Sequence, residues 1–69
     1  MSDRSRFFLF RVKGTDKRRL AYGVTPEQAR EIQGYRLTPA EMRRIDWTDY
    51  EELHSQRDIP ALAREGKLA

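Results

Sequence analysis

Between Arg6 and Lys13 the chain reads Arg-Phe-Phe-Leu-Phe-Arg-Val-Lys, an aromatic and β-branched run that predicts a strand. Strict alternation puts Phe8, Phe10 and Val12 on one face and Phe7, Leu9, Arg11 and Lys13 on the other. Gly14-Thr15-Asp16-Lys17 has turn chemistry, since glycine takes positive φ freely and aspartate can bond its own backbone. A second run, Arg18 to Val24, offers Leu20, Tyr22 and Val24 as an inward face. Together they predict a β-hairpin over residues 6–24, and a lone hairpin needs something to cover its apolar side.

The period then changes. Val24-Thr25-Pro26-Glu27-Gln28-Ala29-Arg30-Glu31-Ile32 places Thr at an N-cap, Pro at the first helical position, Gln28 where it can return to the cap, and Val24 opposite Ala29. This predicts a helix over 26–33, with Gly34 as a left-handed stop. Leu37-Thr38-Pro39-Ala40-Glu41-Met42-Arg43-Arg44-Ile45 repeats the device and predicts a helix over 39–46. The shared pattern is aliphatic, Thr, Pro, two residues, a small or flexible apolar residue, Arg, any residue, Ile; good caps recur because their physics is good. Thr48-Asp49-Tyr50-Glu51 is a further capping box, so a third helix is expected over 49–56. Pro60 can start a short C-terminal turn over 60–65, closed by Gly66, with both chain ends frayed. The predicted fold is α+β: an N-terminal two-stranded β-hairpin packed against two to three short α-helices in a single domain spanning 1–69.

Size limits what such a domain does. With 69 residues and no cysteine there is room for one small core and no disulfide or thiolate metal site to staple it. A core of this size seldom supplies more than about 3–5 kcal/mol, and a deep substrate cleft does not fit inside it. Charged residues make up 36% of the chain, but fourteen Lys and Arg against eleven Asp and Glu nearly cancel, and the apolar residues cluster, which argues for folding over disorder. No apolar stretch approaches a membrane span, and the short run after Arg6 lacks the length and cleavage site of a signal peptide. A cytoplasmic location is expected, with no membrane partner.

Candidate chemistry is thin. His54, the only histidine, would share a helix face with Glu51 and Asp58, yet one imidazole and no thiol fall short of a structural zinc site, so no metal or other cofactor is expected. Ser2, Ser5 and Ser55 have no fixed base or oxyanion site around them, and Gly14, Gly23, Gly34 and Gly66 stand alone rather than in a phosphate loop. Carboxylate neighbours such as Asp46/Asp49 and Glu51/Glu52 have no pocket to raise a pKa. A non-enzymatic protein without a small-molecule substrate is the expectation.

Charge placement says more. Residues 1–36 carry a balance of +5 and residues 37–69 a balance of −2. The positive half centres on the hairpin and its approach from Arg4, where Arg6, Arg11, Lys13, Lys17, Arg18 and Arg19 are candidate phosphate ligands, because a basic two-stranded ribbon fits a nucleic-acid groove. A solvated edge guarded by Lys and Arg accounts for the same charges. In the acidic half, Trp47 is expected to close the core and Tyr50 to be open. Phe7 and Leu9, directed away from the helices, join Tyr50 as candidate partner-binding residues and raise the prospect of a homodimer. Two functions follow: a small regulator binding nucleic acid or a nucleoprotein machine through the basic hairpin, or a protein-binding inhibitor or adaptor, of the kind small phage or mobile-element chains can be, docking on a larger host enzyme through exposed aromatics.

Overall fold

The computed structural model describes residues 6–69; Ser2, Arg4 and Ser5, and the expected fraying of the N-terminal end, lie outside them. Six elements follow one another: β1 (Arg6–Val12), β2 (Arg18–Gly23), α1 (Pro26–Gly34), α2 (Pro39–Arg43), β3 (Ile45–Leu53) and α3 (Asp58–Arg64). The α+β fold and the N-terminal hairpin are present, but the hairpin belongs to a three-stranded antiparallel sheet of order β2-β1-β3. No helix of the described residues is long and apolar enough to cross a membrane.

The third strand replaces the helix expected over 49–56. Thr48 does not cap a helix; its N–H and hydroxyl both donate to Asp46 Oδ1, at 3.0 and 2.6 Å. Tertiary demand explains the change. β1 is apolar on both faces, with Phe8, Leu9 and Phe10 all at most 4% exposed, which suits a central strand. Such a strand needs a second neighbour for its backbone groups, and Ile45, Trp47, Thr48 and Tyr50 are good strand formers. The same strand shortens α2, whose expected last residues Ile45 and Asp46 pair with Val12 and Arg11 instead.

Cross-strand register corrects the inward face of β2. Phe8 lies opposite Ala21 and Phe10 opposite Arg19, whereas Leu20 and Tyr22 face Leu9 and Phe7 across the pair. Opposed residues share a face, so Leu20 and Tyr22 lie on the side away from α1, and Val24, past the end of β2, is exposed. Of the helix-facing residues of β2, Arg19 reaches along α1 to Gln33, while Ala21 and Gly23 are small because α1 packs tightly there. A Cβ on Gly23 would meet Ala29 N at 2.7 Å, and Ala29 is fully buried. Phe8, Phe10, Ala21, Ala29 and Ile45 form the core, with Leu37 and Trp47 against it.

Both threonine caps are formed. Thr25 Oγ1 accepts from Gln28 N at 3.1 Å, while Gln28 Oε1 accepts from Val24 N, one residue before the cap, at 2.6 Å. Thr38 and Glu41 make a full reciprocal capping box at 3.1–3.2 Å. Gly34 stays within α1 without positive φ, and Gly66 ends α3 at φ +71°. The C-terminal residues are not frayed: Lys67 O accepts from Arg18 N and Ala69 N donates to Arg18 O, both at 2.8 Å, along the outer edge of β2.

Candidate nucleic-acid interface

The hairpin cations do not form one free basic surface. Arg6 pairs with Glu52 at 2.8 Å, and Arg11 and Arg18 share Asp49 at 3.7 and 3.4 Å. Arg18 is the most embedded of the three. Its guanidinium also donates to Leu9 O at 3.3 Å and Asp49 O at 3.4 Å, bridging β2 to β3 across the central strand. Arg19 donates from Nε to Gln33 Oε1 at 3.3 Å, satisfying a buried amide of α1. Exposed ion pairs are worth only about 0–1 kcal/mol, so Arg6 and Arg11 can exchange partners, yet the carboxylates beside them still repel a phosphate. Lys13 and Lys17 are exposed and in no ion pair among the described residues.

The partner stripe is also rearranged. Leu9 is 4% exposed and lines a cleft with Leu62 of α3 and Leu68, so it is not available to a partner. A helix and the C-terminal residues reach the face that was expected to stay open. Phe7 is half-buried with its ring 5.3 Å from that of Tyr22. Tyr50 is 42% exposed and points to the opposite face, toward Phe8 and Phe10. The three residues therefore do not make one patch. Glu51, His54 and Asp58 are likewise separated from a common helix face, since β3 ends at Leu53 and α3 begins at Asp58; among the described residues no three His, Asp or Glu side chains are grouped to hold a metal.

A different cationic surface is assembled where the end of β1 meets α1, α2 and β3. Lys13, Arg30 and Arg43 line an open cleft with Met42, Ile45 and Trp47, and no carboxylate lines it. Two bonds position its walls: Lys13 N donates to Arg44 O at 2.7 Å, and Trp47 Nε1 donates to Met42 O at 3.1 Å. The Arg30 guanidinium sits 5.7 Å from the Trp47 ring centre, within cation–π range. Asp46 stands between the cleft residues Ile45 and Trp47 in sequence. Its hydrogen bonds from Thr48 hold its carboxyl below the usual range, aided by the Lys13 charge, and its oxygen is already engaged by Thr48.

Beyond Arg30 the cleft continues into a second recess lined by Pro26, Glu27, Trp47, Thr48 and Tyr50. The recess exists because α1 packs on β2 and leaves the same face of β3 open. β3 is also irregular. Phe10 pairs with Tyr50 and Arg11 with Asp46, so Trp47, Thr48 and Asp49 have no counterpart on β1. In a regular strand residues 47 and 50 would face opposite sides. The bulge brings both rings to Phe10, at 4.8 and 5.5 Å between centroids.

Sequence reasoning missed Arg30, Arg43 and the place of the half-buried Trp47 in the cleft wall. The signal was in the repeated capping pattern. Arg30 and Arg43 each stand five residues after a cap threonine, and both copies deliver their arginine to one cleft. No protein-family model, curated protein or solved structure matches this chain.

Proposed function

We propose that this chain is a small non-enzymatic regulator that binds nucleic acid, and that it does so through the Lys13–Arg30–Arg43 cleft rather than along the hairpin. The observation that carries this reading is the cleft's lining: three cations and an indole, with no carboxylate to neutralise them. Phosphates attract such a surface and release counterions on binding. Arg6, Arg11 and Arg18 of the hairpin, in contrast, lie beside Asp49 and Glu52. No carboxylate or imidazole lines the cleft, which favours binding over catalysis. A cytoplasmic site of action and nucleic acid or a nucleoprotein complex as partner belong to the same proposal.

The rival reading, an inhibitor docking through Phe7, Leu9 and Tyr50, loses its coherence with Leu9 buried and Tyr50 on the other face. Fluorescence anisotropy with labelled oligonucleotides over a salt series tests the choice. Wild type should bind with strong salt dependence, and Lys13→Glu with Arg43→Glu should flatten the slope of log K against log salt by about 0.7–0.9 for each phosphate left without its cation. Lys17→Glu, at the hairpin turn, should have a much smaller effect. No binding to any nucleic acid at low salt refutes the proposal, and an equal loss from Lys17→Glu returns the interface to the hairpin.

A further inference from the structure

We infer that the cleft takes single-stranded nucleic acid, with an unpaired base against Tyr50 and Trp47 and the phosphates on Lys13, Arg30 and Arg43. This rests on the nucleic-acid reading above and adds the substrate class.

The two rings are the first reason. A bulge of three residues places them on one face, and both are held before any ligand arrives. Trp47 is fixed by its bond to Met42 O and by its edge-on approach to Phe10. Tyr50 lies against Phe8 at 6.0 Å and Phe10 at 5.5 Å. Immobilised rings bind a base without a further ordering cost. Tyr50 nonetheless remains 42% exposed, so it is accessible from the recess it lines.

Charge gives the site a direction. The cations line the end nearer Lys13, whereas Glu27 lines the recess beside Tyr50. A phosphate is drawn to the first, with three cations, over the second, where Glu27 offsets Arg30. A neutral base fits the second, where the Glu27 carboxylate can accept from a ring N–H, as on thymine, or from an exocyclic amine. Arg30 borders both recesses, and its planar guanidinium can face a phosphate or stack on a base. Phosphates at one end and a base at the other describe a strand entering the cleft with its bases turned out.

A duplex does not meet these demands. Its bases stack on one another and show only their edges in the grooves, so they offer no π-face to recessed rings. Single strands do, and stacking on aromatic side chains is how sequence-tolerant single-strand binders hold them.

Trp47 is the only tryptophan, so its fluorescence reads the site directly in the full chain. Titration with oligothymidylate, and with a mixed-sequence duplex of equal length, is the test. The single strand should quench Trp47 and bind at least about tenfold tighter than the duplex. Tyr50→Leu keeps an apolar side chain on Phe8 and Phe10 but removes the π-face. It should weaken single-strand binding about 5- to 150-fold with the salt slope unchanged, and Tyr50→Phe should restore it. Arg43→Ala should instead flatten the slope. Circular dichroism melts confirm that each variant is folded. If the duplex binds as tightly as the single strand, or folded Tyr50→Leu binds like wild type, the single-strand assignment is overturned while phosphate binding stands. If neither polymer binds, both readings fall.

Discussion

Substituting Gly23 by alanine probes the closest approach in the fold. The added methyl would lie 2.7 Å from Ala29 N, 3.0 Å from Ala29 Cα and 3.2 Å from Gln28 C. Comfortable carbon separations are about 3.5–4.0 Å, so the overlap is roughly 1 Å, and every atom met is backbone that cannot rotate away. α1 must therefore lift from β2, loosening the fully buried Ala29. Overpacking of this kind destabilises by about 1–3 kcal/mol. Alanine also restricts the unfolded chain, which offsets about 0.4–1 kcal/mol. The net loss is about 1–2 kcal/mol, a large share of the roughly 3–5 kcal/mol a domain of this size commands. With a urea dependence of about 1 kcal/mol per M for so small a domain, the midpoint should fall by roughly 1–2 M. Urea melts followed by Trp47 fluorescence and by circular dichroism measure it. The sign decides: without the clash, the unfolded-state effect alone would raise the midpoint. A midpoint at or above wild type would refute the close packing of α1 on β2.

Arg18→Glu should destabilise the fold by about 1–3 kcal/mol, because it breaks the bridge to Leu9 O and Asp49 and sets two carboxylates together; an unchanged thermal midpoint would show that the bridge is idle. The capping box of α2 should show in acid. Hydrogen bonds from Thr38 hold the Glu41 carboxyl below its ordinary value, so its contribution is complete above that value and is lost as pH falls through the lowered one. Thr38→Ala should lower stability by about 0.5–2 kcal/mol near neutrality and remove that acid-dependent component. Parallel wild-type and variant curves of stability against pH, from neutrality down through the carboxylate range, would argue against the box.

The elements that local chemistry determines were legible from the residues. Thr25-Pro26 and Thr38-Pro39 marked both helix starts, and the Gly14 turn marked the hairpin, because caps and turns need only neighbouring residues. What depended on distant partners was not. β3 hides behind a plausible capping box at Thr48, and only the doubly buried run Phe8–Phe10 hints that β1 is central and needs a second neighbour. Size misled the reading of β2, where Leu20 and Tyr22 look like the inward face; a helix packed this close instead requires Ala21 and Gly23. The site followed the same divide. Of the basic residues along the hairpin, Arg6, Arg11 and Arg18 proved to be paired with β3, while Lys13, Arg30 and Arg43, remote from one another along the chain, share a cleft.

The bulge in β3 has a second effect, on how copies of the chain meet. β3 ends the sheet, so its outer side offers a row of backbone donors and acceptors of the kind that templates aggregation. Residues 47–49 interrupt that row, since a bulge twists a strand away from straight pairing. Asp46, Asp49, Glu51 and Glu52 crowd the same strand, so two such edges meeting antiparallel would bring carboxylate against carboxylate. The irregularity that turns two rings toward one cleft also keeps the open side of the sheet from growing into a fibre.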